Sequence, residues 1–140
     1  MSVRHVGLRY LLDTNICIYI INRKPAEVFR HFEGLPVGEV GISSITGAEL
    51  AYGVEKSGSA RNRQALEKFL APLEIVAFDA EAMNQYGRLR VRLEKQGTPI
   101  GPLDMLIAAH AMALGSVLVT NNLREFGRIP GLTLENWAEV

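Results

Sequence analysis

The sequence predicts an α/β fold organised around a parallel sheet. Short apolar runs alternate with longer segments of helical periodicity, the order that places crossover helices between parallel strands. Cap and breaker residues mark most of the boundaries between them. The chain has 140 residues and shows no low-complexity tract, internal repeat or linker. That length suits a single domain over residues 1–140 with room for a sizeable core.

The first strand is Tyr10-Leu11-Leu12, closing at Asp13. A helix begins at Thr14 and carries Ile16, Ile20 and Ile21 on one face. Pro25 opens a second helix, where its missing N–H costs nothing. Val40-Gly41-Ile42 reads as the second strand, and Ser43-Ser44 as an N-cap pair for a helix over Ile45 to Lys56. Gly58 and Ser59 break that helix, and a basic helix runs from Ala60 to Leu70, ahead of Pro72. Glu74 to Phe78 is the third strand, and Glu81 to Gln96 a long helix stopped by Gly97 and Pro99. Gly101-Pro102 restarts a helix that runs through Ala113 and ends at Gly115. Val117 to Val119 is the fourth strand and Leu132 to Leu134 a short fifth, giving a sheet of four to five strands.

Composition narrows the class of protein. Hydrophobic residues make up 48% and charged residues 21% of the chain, ordinary values for a globular domain. The single cysteine, Cys17, allows no internal disulfide and no thiolate-rich metal site. Met1 to Arg9 is polar and basic, without the apolar core of a signal peptide. The longest apolar stretch, Leu103 to Val119, is interrupted by Asp104, His110, Gly115 and Ser116 and is too short to span a bilayer. The expectation is a cytoplasmic protein with no membrane partner. Fifteen basic and fifteen acidic residues cancel, which speaks against a tight non-specific nucleic-acid binder. A nuclease is compatible with that balance if acids gather at a metal and bases at the rim.

Parallel sheets bind ligands at the carboxyl ends of their strands, which singles out Asp13 after the first strand and Thr120 to Asn122 after the fourth. Asp13 is also placed to cap the helix that follows. Asp104 falls in the first turn of a helix whose only other polar side chain up to Leu114 is His110. A carboxylate turned toward such an apolar interior is costly unless paired or metal-bound. Glu49 shares helical spacing with Ile45 and Tyr52, a stripe that the periodicity turns toward the core. Three acids near strand ends or helix starts offer hard oxygen ligands suited to Mg2+, with Mn2+ as the second choice. Asn122 contributes an amide oxygen to the same polar wall. Thr14, Asn15, Ser44 and Thr120 are placed to orient the carboxylates, although turn and cap roles explain these residues equally well.

His110 lacks a second histidine or cysteine partner and reads as a hydrogen-bonded helix residue. Cys17, among Ile16, Ile18 and Ile20, reads as a small core residue. Neither a Gly-rich phosphate loop nor a Gly-x-Ser-x-Gly elbow is present. Arg88 with Arg92, and Arg61 with Arg63, are candidate phosphate contacts as well as ordinary solvated faces.

Four ordered blocks resemble a known family. Tyr10-Leu-Leu-Asp-Thr-Asn-Ile resembles the opening strand and first acid of PIN domains. The block from Ile42 to Ser57 resembles the second acidic block, with Glu49 as its ligand, and Gly101-Pro-Leu-Asp-Met-Leu-Ile-Ala-Ala-His-Ala resembles the third, with Asp104. Leu118-Val-Thr-Asn-Asn-Leu-Arg-Glu-Phe resembles the last, followed by Pro130-Gly-Leu and Glu135-Asn-Trp. Together they run from about Tyr10 to Trp137 and are most similar to the VapC toxins, the RNA-cleaving partners of VapB antitoxins. The resemblance implies a three-layer α/β/α PIN-like fold, a homodimer and a bound VapB-type antitoxin segment. It also implies an Mg2+-dependent endoribonuclease with Asp13, Glu49 and Asp104 as metal ligands and Asn122 beside them. The reaction that the resemblance implies is metal-assisted phosphodiester hydrolysis leaving a 5′-phosphate and a 3′-hydroxyl. Many PIN domains carry aspartate where this chain has Asn122, so a single tightly held cation is expected.

Two rivals fit less well. A signalling receiver domain has this size and an acidic pocket, but requires an adjacent acid pair after the first strand and a lysine after the last, both missing here. A non-catalytic PIN-fold module that only holds RNA or protein has no need of three acids. For the antitoxin, the surplus of apolar side chains on the first helix (Ile16, Ile18, Tyr19, Ile20, Ile21), with Tyr52 and Val54 on the third, predicts a helix-binding groove.

Overall fold

The structure, a computed structural model, describes residues 8–138. Five strands, β1 (Tyr10–Leu12), β2 (Val40–Ser43), β3 (Glu74–Val76), β4 (Val117–Val119) and β5 (Leu134–Glu135), form one sheet in the order β3-β2-β1-β4-β5. Every pairing is parallel. The central strand β1 is buried at all three residues, and for that reason it reads as an unbroken apolar run rather than an alternating one. Inside β2, Gly41 answers to packing. A Cβ there would stand 2.8 Å from both the Glu74 carbonyl oxygen and Leu8 Cδ1.

Helices cover both faces. α1 (Thr14–Asn22), α2 (Ala26–Glu33), α3 (Ser44–Ser57) and α4 (Ala60–Leu70) lie on one side, and α5 (Ala80–Gln96), α6 (Pro102–Leu114) and the single-turn α7 (Leu123–Phe126) on the other. The pleat separates two cores. Leu11 and Leu118 point to the α5–α6 face with Leu89, Leu93, Ile107 and Phe126. Tyr10, Leu12 and Val119 point to the opposite face with Ile16, Ile20, Leu66 and Trp137. This is the three-layer α/β/α arrangement the sequence led to. No helix among the described residues is long and apolar enough to cross a membrane. The basic stretch that bore on a signal peptide lies, up to Gly7, outside the described residues.

The structure shifts several expected boundaries. β3 stops at Val76, because the Phe78 N–H leaves the sheet and donates to Ser44 Oγ at 3.1 Å. Of the expected cap pair, Ser43 alone caps α3, accepting from the Ile45 N–H, while Ser44 is already helical. Pro25 takes the N-cap position of α2 rather than its first turn. β5 begins at Leu134 rather than Leu132, and α7 was not foreseen.

Candidate active site

In the order β3-β2-β1-β4-β5 the direction of chain progression reverses between β1 and β4. At such a switch point the connections leave the sheet to opposite faces and open a crevice at the carboxyl ends of the strands. Asp13 stands at the end of β1 and Thr120 at the end of β4.

Asp13 does two jobs at once. Its Oδ1 accepts from the Ile16 N–H at 2.8 Å, capping α1, and the Thr120 hydroxyl donates to the same carboxylate. It is 4% exposed. Burial pushes its carboxyl up from 3.8 to about 6, against the lowering effect of the Thr120 and Ile16 bonds. The charges of Asp104 and Glu49 push it further up. Asp104, in the first turn of α6, is half-buried, and its carboxyl is likewise raised, by burial first and then by Glu125 and Glu49. Glu49 comes from the middle of α3, and its Oε1 accepts from Thr14 Oγ1 at 2.8 Å. Thr14 Oγ1 also lies 3.4 Å from the buried Thr46 hydroxyl. Three elements far apart in the chain therefore deliver their acids into one shared electrostatic field.

Glu125, which the sequence reading passed over, joins them. Asn122 caps α7, accepting from the Glu125 N–H at 3.3 Å, while its Nδ2 donates to Glu125 Oε2 at 2.7 Å. Glu125 Oε1 accepts from the Gly101 N–H at the start of α6. The Asn122 amide is thus spent on aiming Glu125 beside Asp104. Its own N–H goes to Thr120 Oγ1 at 2.9 Å, so Asp13, Thr120, Asn122 and Glu125 form one connected chain. Asn-Leu-Arg-Glu has the spacing of a capping box, a signal that pointed to the helix and to Glu125 together. Next to Asn122, Asn121 donates to the Tyr19 hydroxyl at 2.7 Å.

Among the described residues, no three aspartate, glutamate, histidine or cysteine side chains are gathered closely enough to grip one ion as they stand. The donors are nevertheless the right kind for a hard divalent cation: carboxylates only, buried and crowded enough to raise the proton affinity of Asp13 and Asp104. A divalent cation bound among them would offset that repulsion.

The remaining candidates have structural roles. Asp79, which the sequence reading left out, caps α5 through the Ala82 N–H. His110 places Nδ1 2.8 Å from Ser43 Oγ and packs edge-on to Phe78. Cys17 is fully buried, and burial pushes its thiol up. Tyr52 departs from expectation. It shares helical spacing with Glu49 but is 66% exposed and does not face the core. Arg63 pairs with Glu55 and Arg88 bonds Gln85, both on the surface.

A PIN domain family profile matches residues 10–132. A tRNA(fMet)-specific endonuclease VapC of Salmonella typhimurium is 47% identical over 131 residues, covering 93% of this chain and 98% of that protein. Ribonuclease VapC2 of Rickettsia felis is 50% identical over 130 residues, covering 91% and 97%. A solved VapBC from Salmonella typhimurium, bound to DNA, superposes with a TM-score of 0.85 at 46% identity, covering 93% of this chain and 98% of that one. VapBC2 from Rickettsia felis, bound to a fragment of its promoter, gives 0.83 at 48% identity, covering 91% and 98%. The chain belongs to the PIN-domain family and, within it, to the VapC ribonucleases.

Proposed function

We propose that this VapC-family ribonuclease cuts RNA endonucleolytically with a divalent cation, Mg2+ or secondarily Mn2+, held by Asp13, Glu49 and Asp104. The observation that carries the reading is the meeting of the three acids at the switch point, where burial first, and then the charges of Asp104 and Glu49, raise the Asp13 carboxyl to about 6. A non-catalytic scaffold gains nothing from burying carboxylates against one another, and such crowding costs stability unless a cation offsets it.

A bound divalent cation supplies Lewis-acid charge at the scissile phosphate and acidifies a water. The side chains do the rest. Thr120 and the Ile16 N–H fix the Asp13 carboxylate. Thr14 fixes Glu49. Asn122 holds Glu125 against the first turn of α6, where it adds negative charge beside Asp104. Such supporting bonds are what keep ligating carboxylates aimed. No histidine enters: His110 is committed to Ser43 and buried away from solvent.

The Salmonella relative named for tRNA(fMet) makes initiator tRNA the first substrate to try. A VapB-type antitoxin is the proposed partner, and a groove of about 230 Å3 offers it a seat. Ile18 and Ile21 of α1, Leu50 and Val54 of α3 and Leu66 of α4 line it, with Glu49 at its margin. Ile16 and Ile20 are spent on the core, and Tyr19 and Tyr52 do not line the groove. An apolar helix face fits such a groove, and a basic residue at its end would meet Glu49. A homodimer is proposed on the exposed apolar stripe of α5, Met83 and Val91 flanking Gly87.

The test is cleavage of an initiator-tRNA transcript by purified protein. Cleavage is expected with Mg2+ or Mn2+ and none after chelation. Full activity in chelator overturns the metal assignment, and no cleavage of tRNA or total cellular RNA with either ion overturns the nuclease reading.

A further inference from the structure

α3 carries more than its acid. Tyr52 lies one turn beyond Glu49, at i+3, where side chains on a helix are neighbours. Its ring is 66% exposed, the most exposed aromatic or aliphatic side chain after Val37 among the large exposed hydrophobics. One turn further, Lys56 sets its ammonium 5.9 Å from the Tyr52 ring centroid. Glu49, Tyr52 and Lys56 thus run in a line along one helix. Packing does not account for this order: the buried residues of α3 are Thr46 and Leu50, and Tyr52 contributes to neither core. The groove that would hold a partner helix leaves the opposite side of Glu49, through Leu50, Gly53 and Val54.

We propose that Tyr52 is a stacking platform for an unpaired base of the RNA substrate, with Lys56 holding the adjoining phosphate. The inference rests on the ribonuclease reading and names the substrate's form at that same site. Three features point to RNA as the occupant. The platform is continuous with the acid cleft through Glu49. Its neighbouring charge is positive, complementary to phosphate. A flat π-face next to a cation is the arrangement by which proteins hold single-stranded nucleic acid, since every base offers a π-face. A base still paired in a helix is not available to that face, so the substrate must present a loop or an unpaired segment. The chain's net charge of zero fits a protein that binds RNA through a few local contacts rather than an overall field.

The test uses the full-length protein with the cleavage-impaired substitution Asp104→Asn, so that RNA survives the measurement. The probe is a fluorescently labelled initiator-tRNA transcript, with a fully paired RNA duplex of similar length beside it. Tyr52→Leu keeps apolar bulk without a π-face, and Tyr52→Phe restores the face. Expected is about 10- to 100-fold weaker tRNA binding for Tyr52→Leu, the range for a single base–aromatic stack, with Tyr52→Phe restoring most of the affinity. Duplex binding should respond to neither change. Lys56→Gln should lower the salt slope of tRNA binding by about one. In otherwise native protein, the Tyr52→Leu loss should fall on KM more than on kcat. Equal binding by Tyr52→Leu and Tyr52→Phe overturns the proposal. So does a shift of oligomeric state with Tyr52→Leu, which would make Tyr52 a contact between two copies of the chain. Failure of the native protein to cleave RNA bears on the nuclease reading alone, because the platform is judged by binding.

Discussion

The two ends of the sheet bury their polar groups in different ways. At the amino end, Ser116, just before β4, donates to the Leu8 carbonyl at 3.1 Å, a closed pair that satisfies one backbone oxygen. At the carboxyl end stand Asp13, Ser43, Thr46 and Thr120, all buried, linked to half-buried acids on three helices. That buried contact at the amino end is neutral and satisfied. The carboxyl end holds like charges that burial makes worse, and its hydrogen bonds aim those charges instead of cancelling them. The same sheet thus contains a polar contact that serves folding and a cluster that folding must tolerate, which is the pattern expected where a fold carries a site.

The strongest way to break this comparison is to remove a charge at the carboxyl end. Asp13→Asn and Asp104→Asn keep shape and delete an anionic ligand. Each is expected to lower RNA cleavage by about a hundred- to a thousandfold, the scale of losing charge stabilisation at the reacting phosphate, while the far-ultraviolet circular dichroism stays native. Full Mg2+-dependent activity in Asp104→Asn would remove that residue from the site.

The next effect is on stability, and its sign is opposite to that of most buried substitutions. In metal-free protein the Asp13 carboxyl sits at about 6, against 3.8 when unperturbed. Between those values the folded state binds more protons than the unfolded one, so its stability falls as pH rises from about 4 through 6 and stays lowered above. A difference of about two units corresponds to about 3 kcal/mol. Asparagine caps a helix as well as aspartate does, so Asp13→Asn should be more stable than the native chain at pH 8 without metal, by up to about that amount. The gap should close near pH 4, and Mg2+ should narrow it at pH 8 by stabilising the native chain alone. Parallel stability–pH curves for the two proteins would show that Asp13 is not under the strain described.

Much of this was legible in the sequence because the central elements obey local rules. Tyr10-Leu11-Leu12 is buried throughout and Val117-Leu118-Val119 is buried except at the half-buried Val117, and both runs are apolar, while Asp13 and Asp104 stand where strand ends and helix starts put them. Tyr52 was misread because α3 is buried along a narrow stripe, Thr46 and Leu50. Glu49 lies at the edge of that stripe facing a cleft, and extending the period from it led outward into solvent. Glu125 was missed because a four-residue helix has no periodicity to read, and its partners Gly101 and Asn122 meet it only after β4 is placed beside β1. β3 was drawn too long because no local feature announces that the Phe78 N–H will prefer a serine 34 residues away.

The smallest expected effect sharpens the comparison from the other end. Ser116→Ala removes the hydroxyl that satisfies the Leu8 carbonyl. A buried acceptor left without its donor costs about 1–3 kcal/mol, and here the lower half of that range applies. Alanine fills nearly the same space, and Leu8, at 8% exposure, lies close to solvent. Chemical denaturation should therefore show a loss of about 1 kcal/mol, independent of pH between 4 and 8 and unchanged by Mg2+. Cleavage should match that of the native protein, since Ser116 lies across the sheet from every acid of the site. A Ser116→Ala protein that lost cleavage while remaining folded would mean the two ends of the sheet are coupled, and the contrast drawn between them would fail.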